Sequence, residues 1–158
     1  MMTTQARQRP VAEGLFTWPS ERPRLKAAEC ADCGLVSFPA DTHCVRCGGS
    51  DCREKLLADH GTLWTFTTQG FRPPSPPYDG SDTAQTFQPY TVGYVELPDG
   101  LRVEARLTEP DVNRLTIGQP MRMTLVPYSV DPDGTEVLTF AFGPESEPGH
   151  GQHETREA

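Results

Sequence analysis

The chain has 158 residues, a formal net charge of -8 and 35% hydrophobic residues, enough for one modest core, or for a small stapled module joined to a domain of about 100 residues. No run approaches the roughly 18 apolar residues of a membrane span, and the opening MMTTQARQRP lacks the apolar stretch of a signal peptide, so the chain reads as soluble and cytoplasmic with no membrane partner. Residues 1–60 hold eight basic and eight acidic side chains, which puts all the excess negative charge on residues 61–158 and argues against a polyanionic partner.

Residues 1–27 read as an N-terminal docking segment. Within EGLFTWPSERPRLKAAE, Leu15, Phe16 and Trp18 precede a stretch broken by two prolines, an aromatic hook expected to pack on a neighbour in this chain or another.

Residues 28–58 contain CADCGLVSFPADTHCVRCG, two CxxC pairs separated by ten residues. The spacing admits a metal site, two disulfides or a redox dithiol. A reducing cytosol disfavours disulfides, and a redox pair is usually a single CxxC opening a helix, a setting neither pair has. Each pair instead runs into glycine, Cys33-Gly34 and Cys47-Gly48, which suits tight knuckles whose amides face thiolates. Cys30, Cys33, Cys44 and Cys47 are therefore the expected ligands of tetrahedral zinc, or of iron, since a tetrathiolate accepts either. Such a closed set leaves no position for substrate and acts as a staple for the fold. Cys52 could compete by pairing with Cys47, although a spare thiol is the simpler reading, and His43 reads as a solvated loop residue.

Residues 59–143 change to short alternating segments punctuated by Gly, Pro and Asp. GTLWTFTTQ reads as a strand with Leu63 on one face and Trp64 and Phe66 on the other. YTVGYVELPDGLRVEARL reads as a hairpin turning at Pro98-Asp99-Gly100, and MRMTLVPYSV and EVLTFAF flank a second turn at Asp131-Pro132-Asp133-Gly134. Five antiparallel strands fit a small OB-type barrel, because closure removes exposed edges. TEPDVNRLTIGQP, between the third and fourth strands, is expected to hold a short helix that starts at Glu109-Pro110-Asp111 and stops at Gly118. The proline-dense loop GFRPPSPPYDGSDTAQTFQP carries Phe71, Arg72, Tyr78 and Phe87, a poor composition for a solvated linker, so it is either a partner or ligand contact or a floppy insertion. The polar tail, 144–158, is expected to be disordered.

Catalytic motifs are missing: there is no GxSxG elbow, no HExxH and no Gly-rich phosphate loop. His60 follows Asp59, but adjacent strand residues point to opposite faces and are poor partners. Asp131 and Asp133 suit turn chemistry. A ribbon plus an OB barrel also raises a nucleic-acid-binding alternative, with Trp64, Phe66 and Phe71 as a stacking platform, but the acidic barrel opposes it.

The order of these pieces resembles the DUF35 family, a rubredoxin-like zinc ribbon followed by an OB-fold, described as acyl-CoA-associated. CADCGLVSFPADTHCVRCGG, GTLWTFT, YTVGYVELPDGLRVEARL and LTIGQPMRMTLVPY carry the likeness over roughly residues 25–143. The opening looks closest to members that accompany thiolases, such as those of the benzylsuccinyl-CoA type. The resemblance implies a non-catalytic subunit that stabilises a thiolase-like enzyme, as a heterotetramer, and helps enclose its acyl-CoA during thiolytic or retro-aldol C–C cleavage; a stand-alone acyl-CoA binder is a further alternative. It implies metal binding by the four cysteines, and partner or acyl-CoA contacts at Phe16, Trp18, Phe71, Arg72 and Tyr78. Three features depart from the family pattern. Phe38-Pro39-Ala40-Asp41 replaces a Phe-Pro-Pro-Arg type stretch, prolines preclude the longer N-terminal helices of many members, and Cys52 is additional.

Overall fold

The computed structural model describes residues 7–78 and 80–145. Its strands are β1 (Gln8–Pro10), β2 (Lys26–Cys30), β3 (Val36–Ser37), β4 (Cys52–Leu56), β5 (His60–Gln69), β6 (Tyr90–Glu96), β7 (Arg102–Leu107), β8 (Pro120–Val130) and β9 (Glu136–Pro144). The fold is mainly β, with no α-helix among the described residues. A three-stranded ribbon sheet, β3-β2-β4, precedes a barrel in which β5, β6, β7, β9 and β8 pair in that order and β8 returns to β5. This is the closed five-stranded ring of an OB-fold, with the parallel contact between its third and fifth strands at Arg106↔Ala141 and Leu107↔Phe142.

Alternation and turn chemistry build the central hairpin as expected. Val95 faces Val103 and Gly93 faces Ala105 across β6 and β7, and all four point inward. At the turn, Leu97 N–H donates to Leu101 O at 2.8 Å and Gly100 takes φ of 87°, a conformation side chains resist. The Asp99 carboxylate also accepts from the Ala58 amide at 2.8 Å, which ties the turn to the junction between ribbon and barrel. The Asp131–Gly134 turn behaves likewise, with Asp133 Oδ1 accepting from Thr135 N–H at 2.9 Å.

Three local expectations are corrected. Strand β5 carries a bulge between Leu63, opposite Val95, and Thr65, opposite Tyr94, so Trp64 is the extra residue. The bulge flips the alternation: Leu63 and Phe66 pack inward while Trp64 is exposed beneath Arg102. Between β7 and β8 there is only a 3-10 turn, Val112–Arg114, with Asp111 capping it by accepting from Asn113 N–H at 2.9 Å. Leu115 must reach the core directly after that turn, which leaves no room for a second one. Lastly, Asp59 lies before β5, outside the alternation, and its Oδ1 sits 3.2 Å from His60 Nδ1. The same carboxylate takes Arg22 at 3.1 Å and Arg122 at 3.2 Å, so it joins the N-terminal segment to β8. Although partial burial works against ionisation, hydrogen bonds from His60 and Arg22 hold this carboxyl below its usual range.

The N-terminal segment docks within its own chain. Strand β1 runs parallel to β9 from Gln8↔Glu136 to Pro10↔Leu138, covering the part of the β9 edge that β7 does not reach. Arg9 holds it there through Asp131 at 2.7 and 3.0 Å. Phe16 bridges Leu25 and is buried. Of the tail expected to be disordered, residues from 146 on lie outside the described residues; Glu145 pairs with Arg122 at 2.6 Å.

Ribbon and barrel share one core. Leu25, Ala27 and Leu57 join Leu63, Val95, Met121 and Phe142 in a single buried cluster, and Phe38 of the ribbon meets Phe140 edge-on at 5.8 Å. Replacing Leu25 by Ala therefore removes volume from both modules. Urea unfolding followed by tryptophan fluorescence and by metal release should show one transition, weakened by about 2–5 kcal/mol. Gly93, opposite Phe66, leaves no space for a Cβ, which would lie 2.6 Å from the Thr65 carbonyl oxygen; Gly93→Ala should cost about 1–3 kcal/mol in the same assay.

Candidate metal centre and the adjoining groove

The two CxxC knuckles are copies of one another. Cys30 N–H donates to Leu35 O at 2.9 Å and Gly34 N–H to Cys30 O at 2.8 Å; Cys44 N–H donates to Gly49 O and Gly48 N–H to Cys44 O, both at 2.8 Å. Each turn closes on a glycine at positive φ, 73° for Gly34 and 75° for Gly48. Strand β2 delivers Cys30 and the following turn Cys33, while the second knuckle brings Cys44 and Cys47 over them.

The four sulfurs converge within 4.8 Å of one another, with Cys30 Sγ 3.6 Å from Cys47 Sγ and Cys33 Sγ 3.5 Å from Cys44 Sγ. Corners of a tetrahedron with zinc–sulfur bonds of about 2.3 Å stand about 3.8 Å apart, so the donor set fits the ion. Electrostatics point the same way. Amides of Cys47 and Arg46 draw the Cys44 thiol down to about 6. The Gly49 amide favours a Cys47 thiolate, yet the sulfurs of Cys30 and Cys33 crowd it and push it up to about 12. Four thiolates in this volume require a cation between them. His43 Nδ1 lies 3.0 Å from the Thr42 hydroxyl, and the residue is not part of the converging cluster. Cys52 pairs across the sheet with Cys30 but is not one of the converging sulfurs, and burial lifts its thiol above the ordinary value.

The residues expected to contact a partner or acyl-CoA do not form one group. Phe16 belongs to the chain's own core and Trp18 packs against it half-buried. Phe71 is 72% exposed at the start of the loop between β5 and β6. Arg72 folds that loop inward, donating to Asp82 O at 2.9 Å and Gly80 O at 3.2 Å, with its guanidinium 4.9 Å from the Tyr78 ring centre. Tyr78 meets Phe87, and Phe87 meets Tyr90, edge-on at 6.3 and 5.9 Å.

This chain of rings leads into a groove of about 620 Å³ on the outer face of the β6–β7 hairpin, walled by the loop at Tyr78, the ribbon at Phe38 and Pro39, and Tyr128 and Phe140 from the second hairpin. Tyr90, Tyr94, Arg102, Glu104 and Arg106 line its floor. A sequence reading of those strands follows what they bury and misses their other face, although the same alternation places every one of these residues outward.

Cys33→Ser or Cys44→Ser should abolish stoichiometric zinc binding and unfold the ribbon, whereas Cys52→Ser should retain about one zinc per chain; metal analysis of the purified variants distinguishes them.

Residues 18–52 match the family model described as ChsH2, rubredoxin-like zinc ribbon domain, and residues 54–126 match ChsH2, C-terminal OB-fold domain. The benzoylsuccinyl-CoA thiolase subunit BbsA of Thauera aromatica is 28% identical over 120 residues, covering 76% of each chain. A DUF35 domain-containing scaffold protein of Methanothermobacter thermautotrophicus is 26% identical over 140 residues, covering 86% of this chain and 99% of the relative. Among solved structures, the Ltp2-ChsH2(DUF35) aldolase superposes with a TM-score of 0.55 at 26% identity, covering 77% of this chain and 84% of the other. With a ribbon and a barrel of these types in tandem, and relatives sharing the pair across most of its length, this chain belongs to the DUF35 family.

Proposed function

We propose that this chain is the non-catalytic subunit of a complex with a thiolase- or aldolase-like enzyme that cleaves a C–C bond in a CoA ester. The observation that carries the reading is the donor set itself: cysteine sulfur occupies all four corners around the metal position, so a bound zinc supports the fold and has no site left to polarise a carbonyl or activate water. The names of the relatives, a thiolase subunit, a scaffold protein and an aldolase, supply the partner class. In the proposed complex the partner holds the reacting groups, two copies of each chain assemble as a heterotetramer, and this chain's outer barrel face walls part of the acyl-CoA channel. Its negative charge beyond residue 60 would meet a basic surface on the enzyme.

Co-expression with a thiolase-like protein from the same source tests this. The two should elute as one species carrying about one zinc per small chain, with C–C cleavage of a CoA ester present only when both are present. A metal-loaded chain that elutes alone and leaves the enzyme's activity unchanged would sink the proposal.

A further inference from the structure

Of the five cysteines, four converge on the metal position and Cys52 is left over. Strand register gives this fifth thiol a partner, because β2 and β4 run antiparallel with Cys30 directly opposite Cys52. Leu57 N–H donates to Leu25 O at 2.9 Å at one end of the two strands, and Ala31 N–H to Asp51 O at 2.8 Å at the other. Hydrogen-bonded pairs recur at every second residue, so these two bonds set the phase and leave Cys30 and Cys52 as a non-hydrogen-bonded pair. In such a pair the side chains leave the same face of the sheet and approach more closely than at the bonded positions. Ion pairs bear out which residues share a face: Lys26 reaches Glu54 at 3.7 Å and Lys55 reaches Glu29 at 3.1 Å. Cα atoms in this arrangement stand about 4.5 Å apart, at the near edge of the span that a disulfide bridges.

Burial gives the two cysteines different parts. Cys30 is 2% exposed and belongs to the metal position, whereas Cys52 is half-buried and outside the converging sulfurs. Cys52 Sγ lies 3.9 Å from Gly49 O, the carbonyl that also accepts from Cys44 N–H. A sulfur that small solutes can reach thus stands opposite a buried ligand of the first knuckle and against the frame of the second.

We propose that Cys30 and Cys52 form an oxidisable pair through which a hydroperoxide opens the metal site. The Cys52 thiol attacks hydrogen peroxide: an S–O bond forms, the O–O bond breaks, and the thiol's proton leaves with the released hydroxide as water. The Cys30 sulfur then attacks Cys52 Sγ, the new S–S bond displaces hydroxide, and a proton from solvent turns it into a second water. One thiolate, one thiol, one peroxide and one proton become a disulfide and two waters, each sulfur giving up one electron. Cys30 can no longer act as a thiolate ligand, and Cys33, Cys44 and Cys47 are too few to close a tetrahedral site. Strands β2 and β4 stay joined, now covalently, while the second knuckle loses what fixes it to the first.

The full zinc-loaded chain treated with hydrogen peroxide tests this, with zinc release followed by a chromogenic chelator and the product digested by an endoproteinase that cuts before aspartate. Asp32, Asp41 and Asp51 place Cys30, Cys33, the Cys44 and Cys47 pair, and Cys52 on four different fragments. Zinc release should coincide with a disulfide joining the fragment that ends at Ala31 to the one that begins at Asp51. Dithiothreitol with added zinc should restore the starting species. Cys52→Ser should carry zinc as before and release it several-fold more slowly under peroxide; should that variant fail to fold, Cys52→Ala gives the same comparison. Equal release from both chains overturns the proposal, as do disulfides confined to the four ligands or a Cys30–Cys52 disulfide in a chain that keeps its zinc. No partner enzyme takes part, so the outcome is independent of the functional reading above.

Discussion

Four sulfurs held within a few ångströms repel one another once ionised, and the ribbon has little else to hold it together. Its strands are short, and its apolar residues Leu25, Ala27 and Leu57 pack into the barrel's cluster instead of a centre of their own. The metal position and the shared core are thus complementary constraints: one fixes the two knuckles to each other, the other fixes them to the barrel. Arg24 secures the seam, donating to the carbonyls of Leu57 at 2.8 Å and Leu56 at 3.2 Å where the chain passes from ribbon to barrel.

That seam makes the groove possible. A free-standing OB barrel would present the β6–β7 face to open solvent. Here the ribbon's Phe38 leans on Phe140 and the proline-dense loop folds back through Arg72 and Tyr78, so two walls rise beside a floor that is otherwise a plain sheet surface. The loop has a structure of its own, built from an ion pair and edge-on aromatic contacts, and this explains why so many prolines are tolerated in it: it makes few backbone hydrogen bonds that they could remove.

What can be read from the sequence follows the reach of the interactions. The cysteine spacing and the hairpin turns are set by residues a few positions apart, and they emerge as expected. Alternation misplaces Trp64 because a bulge inserts one residue and inverts every side chain after it, a shift that no periodic pattern reveals. Strand β1 escapes a sequence reading because Gln-Arg-Pro has no strand character; it is held by the exposed edge of β9 and by Arg9 on Asp131, more than a hundred residues away. The rule that sets Asp59 and His60 on opposite faces holds inside strands, and Asp59 is outside one. Phe16, which reads as a hook for some neighbour, finds that neighbour in its own chain.

Strand β8 carries one further implication. It meets β5 only through Pro120, Met121 and Arg122, while β9 accompanies it to Val130. Met123 N–H still donates to Asp59 O at 2.8 Å, but beyond residue 123 the outer side of β8 is, among the described residues, a sheet margin, the kind of surface on which copies of a protein add to one another strand by strand. Pro127 supplies no amide hydrogen there, and the irregularity between Pro127 and Ser129 breaks the repeat that an incoming strand would have to match. The margin is poorly suited to templating, which leaves the choice of what this protein associates with to side chains and shape.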